Sequence, residues 1–159
     1  MPQGLNHEMA KNAILYAGEP EIQEMEVETV TTFGPGRLVI ANTAEYQAQV
    51  AGDASAIVLG VADVPSDQKL TAYYVPTAGG ALTKTFTAAD QIRVLRGDIV
   101  VKLVAKSGET IAVGTKLVSA AAGMVKAGAT AGQCIGYSLE NKTTDISACC
   151  DWVLVKLII

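Results

Sequence analysis

Residues that carry chemistry are scarce in this chain of 159 residues, which has one histidine, three cysteines, one tryptophan and two phenylalanines. The lone histidine, His7, stands in a polar leader, so a Ser–His or Cys–His nucleophile has no general base in the body of the chain. An odd cysteine count argues against a fully paired secreted disulfide framework. Cys149 and Cys150 are adjacent, and neighbouring Cα atoms are too close for ordinary disulfide geometry. Reduced, partly buried thiols are therefore expected at Cys134, Cys149 and Cys150, and a zinc site would want ligands that the chain does not supply. Positive charge is also short: 12 basic against 16 acidic residues give a net charge of -4 and a pI near 4.9. No basic run interleaves with aromatics, so nucleic acid is not an expected partner. No apolar run approaches the roughly 20 residues of a membrane helix, so no membrane partner is expected either. Residues 1–24 lack a positive stretch followed by an apolar core, so no secretory signal is read there and synthesis in a cytosol is expected.

What the chain does have is small apolar residues and turns. Half of it is apolar, the mean hydropathy is +0.30, and 15 glycines are spread along it. The length suffices for one well-buried core, or for two small β modules that share one. Strand signals run from Glu21 to Val30, Leu38 to Ile40, Tyr46 to Val50 and Ala56 to Ala62. After a less regular stretch holding Leu70 to Val75 and Leu82 to Phe86, they resume at Ile92 to Leu95, Ile99 to Val104, Thr110 to Val113 and Lys116 to Ser119. Met124 to Lys126, Cys134 to Leu139 and Cys149 to Ile159 complete the set, with a polar loop from Glu140 to Thr144. Short strands separated by Gly-centred turns, with no alternating long helices, predict an all-β fold: a compact β-barrel or β-sandwich. Trp152 to Ile159 is apolar at every position but Lys156, so the final strand is expected to be paired in a sheet or inserted in an interface.

Residues 1–20 read as an N-terminal arm, loose or laid against a neighbouring chain, with a short helix conceivable from His7 to Tyr16. Residues 21–159 read as a single β domain with a loop-rich insertion near 66–92. Within it a loose internal similarity links Pro35-Gly36-Arg37-Leu38-Val39 to Val113-Gly114-Thr115-Lys116-Leu117-Val118. Each is followed by a second matching piece, Val58-Leu59-Gly60-Val61-Ala62 and Cys134-Ile135-Gly136-Tyr137-Ser138. Two related β units around a shared core would follow, with Gly60 and Gly136 inside strands where backbones approach closely.

The remaining constellations have structural explanations. Asp53, Asp63, Asp98 and Asp151 lie near glycines, prolines or strand ends, where turn capping accounts for them. Gly34-Pro35-Gly36-Arg37 lacks the Lys-Ser/Thr pair of a phosphate loop. Arg96-Gly97-Asp98 spells an adhesion tripeptide but joins two apolar strands, as a tight turn would. Cys149-Cys150-Asp151-Trp152 lacks the two-residue spacing of a redox pair and runs into a strand. No catalytic, cofactor-binding or metal-binding residue is nominated, and no enzyme activity or cofactor is expected.

Two resemblances bear on function. The segment Gly97 to Val118 faintly resembles the turns of lipoyl and biotinyl carrier domains, with Met124-Val125-Lys126 the nearest approach to their modified-lysine hairpin. More of the chain resembles the capsid decoration (cement) proteins of tailed bacteriophages and related viruses. The parts that carry this likeness are Gly108 to Leu117, Gly123 to Val125, Ile135 to Glu140 and Val153 to Leu157, with Pro35 to Val39 and Leu59 to Ala62 earlier. This second resemblance implies a β-rich homotrimer on the outer surface of the virion. The major capsid protein would be its partner and an N-terminal arm would reach over a neighbour. The irregular stretch 66–92 departs from the family pattern. A cellular β-barrel adaptor or carrier domain is the alternative.

Overall fold

A computed structural model of the chain describes residues 14–28, 33–63, 86–128, 131–144 and 151–159. The expected strand at Leu70 to Val75, that at Leu82 to Phe86 except for Phe86, the His7 to Tyr16 helix as far as residue 13, and Cys149 and Cys150 lie outside them. Among the described residues thirteen short strands follow in chain order: β1 (Leu15–Ala17), β2 (Glu21–Val27), β3 (Leu38–Ala41), β4 (Gln47–Val50), β5 (Gly60–Asp63), β6 (Gln91–Arg96), β7 (Val100–Ala105), β8 (Thr110–Ile111), β9 (Lys116–Ser119), β10 (Val125–Ala127), β11 (Gly136–Ser138), β12 (Lys142–Thr143) and β13 (Asp151–Leu157). The fold is all-β. Among the described residues no helix is long and apolar enough to cross a membrane.

These strands close two small barrels. The first runs β2-β4-β3-β5-β6 and closes through the long antiparallel β2–β6 pair. The second runs β7-β10-β9-β11-β13 and closes because β7 also pairs with β13. Closure leaves the ring strands without open edges, which guards short strands against pairing with other chains; β1, on β7, and the β8–β12 pair lie outside the two rings. The strand order is the same in both, and so is the sense of each pairing: one parallel pair, β2–β4 or β7–β10, among antiparallel ones.

The equivalence extends to single hydrogen bonds. Gly36 N–H donates to Ala62 O and Ala62 N–H to Arg37 O, and Gly114 N–H likewise donates to Ser138 O and Ser138 N–H to Thr115 O. Leu59 N–H donates to Val39 O as Ile135 N–H does to Leu117 O. Ala51 N–H donates to Leu38 O as Gly128 N–H does to Lys116 O. The chain is therefore a tandem duplication in structure, and the loose sequence similarity of the two halves marks equivalent positions. Gly60 presses on the Leu95 carbonyl in the first barrel, and Gly136 on the Lys156 carbonyl at the same place in the second.

Alternation decides which side of each strand is buried. In β2, Met25 and Val27 point into the barrel while Ile22 and Glu24 are exposed, and in β13 Val153, Val155 and Leu157 are buried. One apolar cluster runs through both barrels, from Met25, Leu38 and Leu95 to Leu103, Leu117 and Val155. Their seam has three parts. Val104 N–H donates to Gly36 O at 3.0 Å, and Gly36 lies against the Trp152 ring. Ala54 and Ser55 N–H groups donate to the Ser119 carbonyl and hydroxyl, both at 2.9 Å, while Val58 N–H donates to Gln133 Oε1 at 2.6 Å. Finally Arg37 Nη1 donates to Ala122 O at 2.8 Å, and Lys126 Nζ pairs with Asp53 at 2.6 Å.

Several expectations are adjusted. The strand expected from Ala56 to Ala62 begins only at Gly60, because Ala54 to Val58 are taken up by seam contacts to the second barrel. The loop expected at Glu140 to Thr144 contains β12, whose Lys142 and Thr143 pair with Ile111 and Thr110 of β8. Tyr16, placed at the end of a possible helix, lies in β1, which pairs with β7 of the same chain and carries Ile14 into the core. The terminal strand β13 is paired along both edges, to β7 and β11, as its composition demands.

Candidate functional site

The expected thiols and acids are dispersed. Cys134 is a free, half-buried thiol whose Sγ lies 3.6 Å from Gly136 O. Among the described residues no cluster of three His, Cys, Asp or Glu could hold a metal; His7, Cys149 and Cys150 lie outside them. Turn capping is not what the structure shows for Asp53, Asp63 and Asp98. Asp63 is wholly buried within β5, opposite Arg93 of β6. Asp53 reaches Lys126 across the seam and Asp98 reaches Lys156 at 2.6 Å, while Asp151 opens β13. Opposite charges brought near by the fold, which local spacing does not reveal, set two of these partners.

Arg96-Gly97-Asp98 is the crossing from the first barrel to the second. Arg96 Nη2 donates to Glu21 at 2.7 Å, Gly97 N–H donates to Ile159 O, and Asp98 pairs with Lys156. The hydrogen bond and charge of Arg96 hold the Glu21 carboxyl below its ordinary pKa, and Glu21 raises that of Arg96 in return. All three residues of the tripeptide are thus tied to neighbouring strands, as a structural turn requires. Lys126, the nearest match to a carrier lysine, lies in β10 and is ion-paired, so it is not displayed on a hairpin tip. Burial lowers the pKa of the seam guanidinium of Arg37, which nonetheless stays charged.

What the molecule offers instead is surface. One patch surrounds the β8–β9 turn, where Val113 is 59% exposed and Tyr137 and Leu139 are each 43% exposed. Lys116 and Lys156 stand on either side of Tyr137 in the sheet register. A second feature is a groove of about 310 Å³ on the first barrel, between β2 and the β3–β4 turn, lined by Glu24, Glu26, Glu45, Tyr46, Gln47 and Gln91. Tyr46 is 68% exposed and holds a left-handed backbone, φ 59°, which a bulky residue adopts only at a cost. Gln47 Nε2 donates to Glu26 Oε1 at 3.3 Å and accepts from Asn42 at 3.1 Å, fixing the groove floor.

Neither surface was nominated from sequence. The available signal lay in β2, where Glu24 and Glu26 alternate with Met25 and Val27, and in the contrast between Pro35-Gly36 and Val113-Gly114.

No protein-family profile matches the chain. No curated protein matches it. Among solved structures the fold is similar to the head fiber gp8.5 N base of bacteriophage phi29, with a TM-score of 0.53 and 13% sequence identity. That likeness spans 87% of this chain and 94% of the other, so the two proteins share an all-β architecture over nearly their whole length.

Proposed function

We propose that the chain is a structural protein of a virus head, a decoration or cement protein that binds the outer surface of the major capsid lattice and stabilises the virion. The observation that carries this reading is the fold likeness to a phage head fiber base over 94% of that chain. Its apolar patch at Val113, Tyr137 and Leu139 supports the same reading, since exposed apolar clusters serve association. The protein would act by binding alone, without catalysis, as a homotrimer that spreads contact over a symmetric surface. The partner is the major capsid protein, and the place of action is the outer capsid face.

The test is co-sedimentation of the purified protein with capsids that lack their decoration, paired with light scattering to give its native mass. Saturable, stoichiometric binding and a raised temperature of capsid disruption are expected. A folded protein that leaves such capsids bare at micromolar concentration would refute the reading.

A further inference from the structure

The seam between the two barrels is a template for a contact between copies of the chain. It is heterologous: the first barrel contributes the turn at Pro35-Gly36-Arg37. The second contributes the outward face of β7 and β13, with Val104 and Trp152, and the β9–β10 turn carrying Ala122. Because the barrels are structural duplicates, each also carries the face that it does not use in the seam.

The second barrel's unused face is the apolar patch. Gly114 has φ 81° where Gly36 has φ 80°, and both make the equivalent hydrogen bonds described above. Their surroundings differ completely. Gly36 is buried against Trp152, whereas a Cβ at Gly114 would meet nothing within 4 Å. Pro35 is buried, and its counterpart Val113 is exposed. Val61 is buried, and its counterpart Tyr137 is exposed.

The first barrel's unused face is the acidic groove. Glu26 and Gln91 face each other across β2–β6 as Val104 and Trp152 do across β7–β13. Glu24 stands where Lys102 stands, and the β3–β4 turn with Glu45 and Tyr46 stands where the Ala122 turn receives Arg37. Groove and patch have complementary charge: Glu24, Glu26 and Glu45 line one, and Lys116 flanks Tyr137 on the other.

We propose that a second copy of this chain docks its Val113–Lys116 turn and Tyr137 into the groove between Glu24, Glu26 and Tyr46, repeating the internal seam between molecules. This deepens, and rests on, the reading of the chain as a self-associating head protein. Each copy carries one face of each kind, so the contact is head-to-tail and closes into a ring where the rotation permits. A ring of three chains would set six barrels in quasi-equivalent contact.

Light scattering and sedimentation over a concentration series provide the test. The wild-type chain should self-associate, and Lys116→Glu should raise the dissociation constant by about tenfold or more, as reversal of an interface charge does. Glu24→Lys with Glu45→Lys should do the same. All three changes in one chain should recover association, because the reversed charge at position 116 again meets opposite charge at positions 24 and 45. Circular dichroism verifies folding, and Val113→Asp replaces Lys116→Glu if that variant does not fold. A monomeric wild type, an unchanged mass in the single-face variants, or failure of the folded triple variant to recover would overturn the proposal. Capsid co-sedimentation separates the two readings. An oligomer that depends on these faces yet ignores capsids keeps the interface and sinks the head-protein reading. Capsid binding by an oligomer indifferent to these changes does the reverse.

Discussion

At the scale of single residues, glycine placement decides whether strands can meet. Gly60 and Gly136 occupy equivalent positions, each with the backbone carbonyl of the facing strand where a Cβ would go, Leu95 for one and Lys156 for the other. Backbone in a closed barrel cannot retreat as a side-chain tip can. Gly60→Ala and Gly136→Ala should therefore each destabilise the fold by about 1–3 kcal/mol, the range for overpacking, read as a lowered urea midpoint. Equal losses in the two variants are expected, because the positions are duplicates. A second residue-scale effect depends on pH. Arg96 lowers the folded-state pKa of Glu21 below its ordinary 4.5, so the pair's contribution is complete above that value and is lost as pH falls through the lowered one. Glu21 is fully exposed, so the effect is small. Glu21→Gln should flatten that part of the stability–pH curve below pH 4.5 and leave the rest of it unaltered.

Among the elements, the seam carries the main consequence of duplication. Two barrels with the same strand order could have stayed independent, and here Trp152 on β13 and Gly36 before β3 lock them together. Trp152 is only partly buried, so Trp152→Ala should cost less than a fully buried aromatic, about 2–4 kcal/mol. The double variant Trp152→Ala with Gly36→Ala should cost less than the sum of its single changes, since the added methyl fills space that the ring vacated. Denaturant midpoints over that mutant cycle measure the coupling directly. The seam was not visible in sequence. Turn-and-strand grammar showed Gly36 and Gly114 as equals, and nothing local says that one is covered and the other open.

Across the whole molecule, one apolar cluster passes through both barrels, and a shared core couples the unfolding of its parts. Trp152 is the single tryptophan and lies at the seam, so its fluorescence reports on barrel–barrel contact while far-ultraviolet dichroism reports on both barrels. The two probes should give coincident unfolding curves in urea. A fluorescence transition that precedes the dichroism transition would mean that the barrels part before they melt.

Much of the architecture was legible before any coordinates. Alternation in Tyr46 to Val50 and the apolar run of Trp152 to Leu157, together with glycines between short apolar stretches, dictated strands, turns and an all-β class. The repeated Gly-x-x-apolar pieces pointed to two related units, because the same backbone approach recurs at Gly60 and Gly136. These are local properties: a residue's side of a strand and its permitted dihedrals depend on its neighbours in the chain. Closure into two rings, the choice of Asp63 as a wholly buried carboxyl, and the pairing of Asp53 with Lys126 came only from tertiary structure. So did the acidic groove, assembled from β2, β6 and the β3–β4 turn. Which duplicated face is buried and which stays open depends on the partner packed against it, and that partner lies far away in sequence.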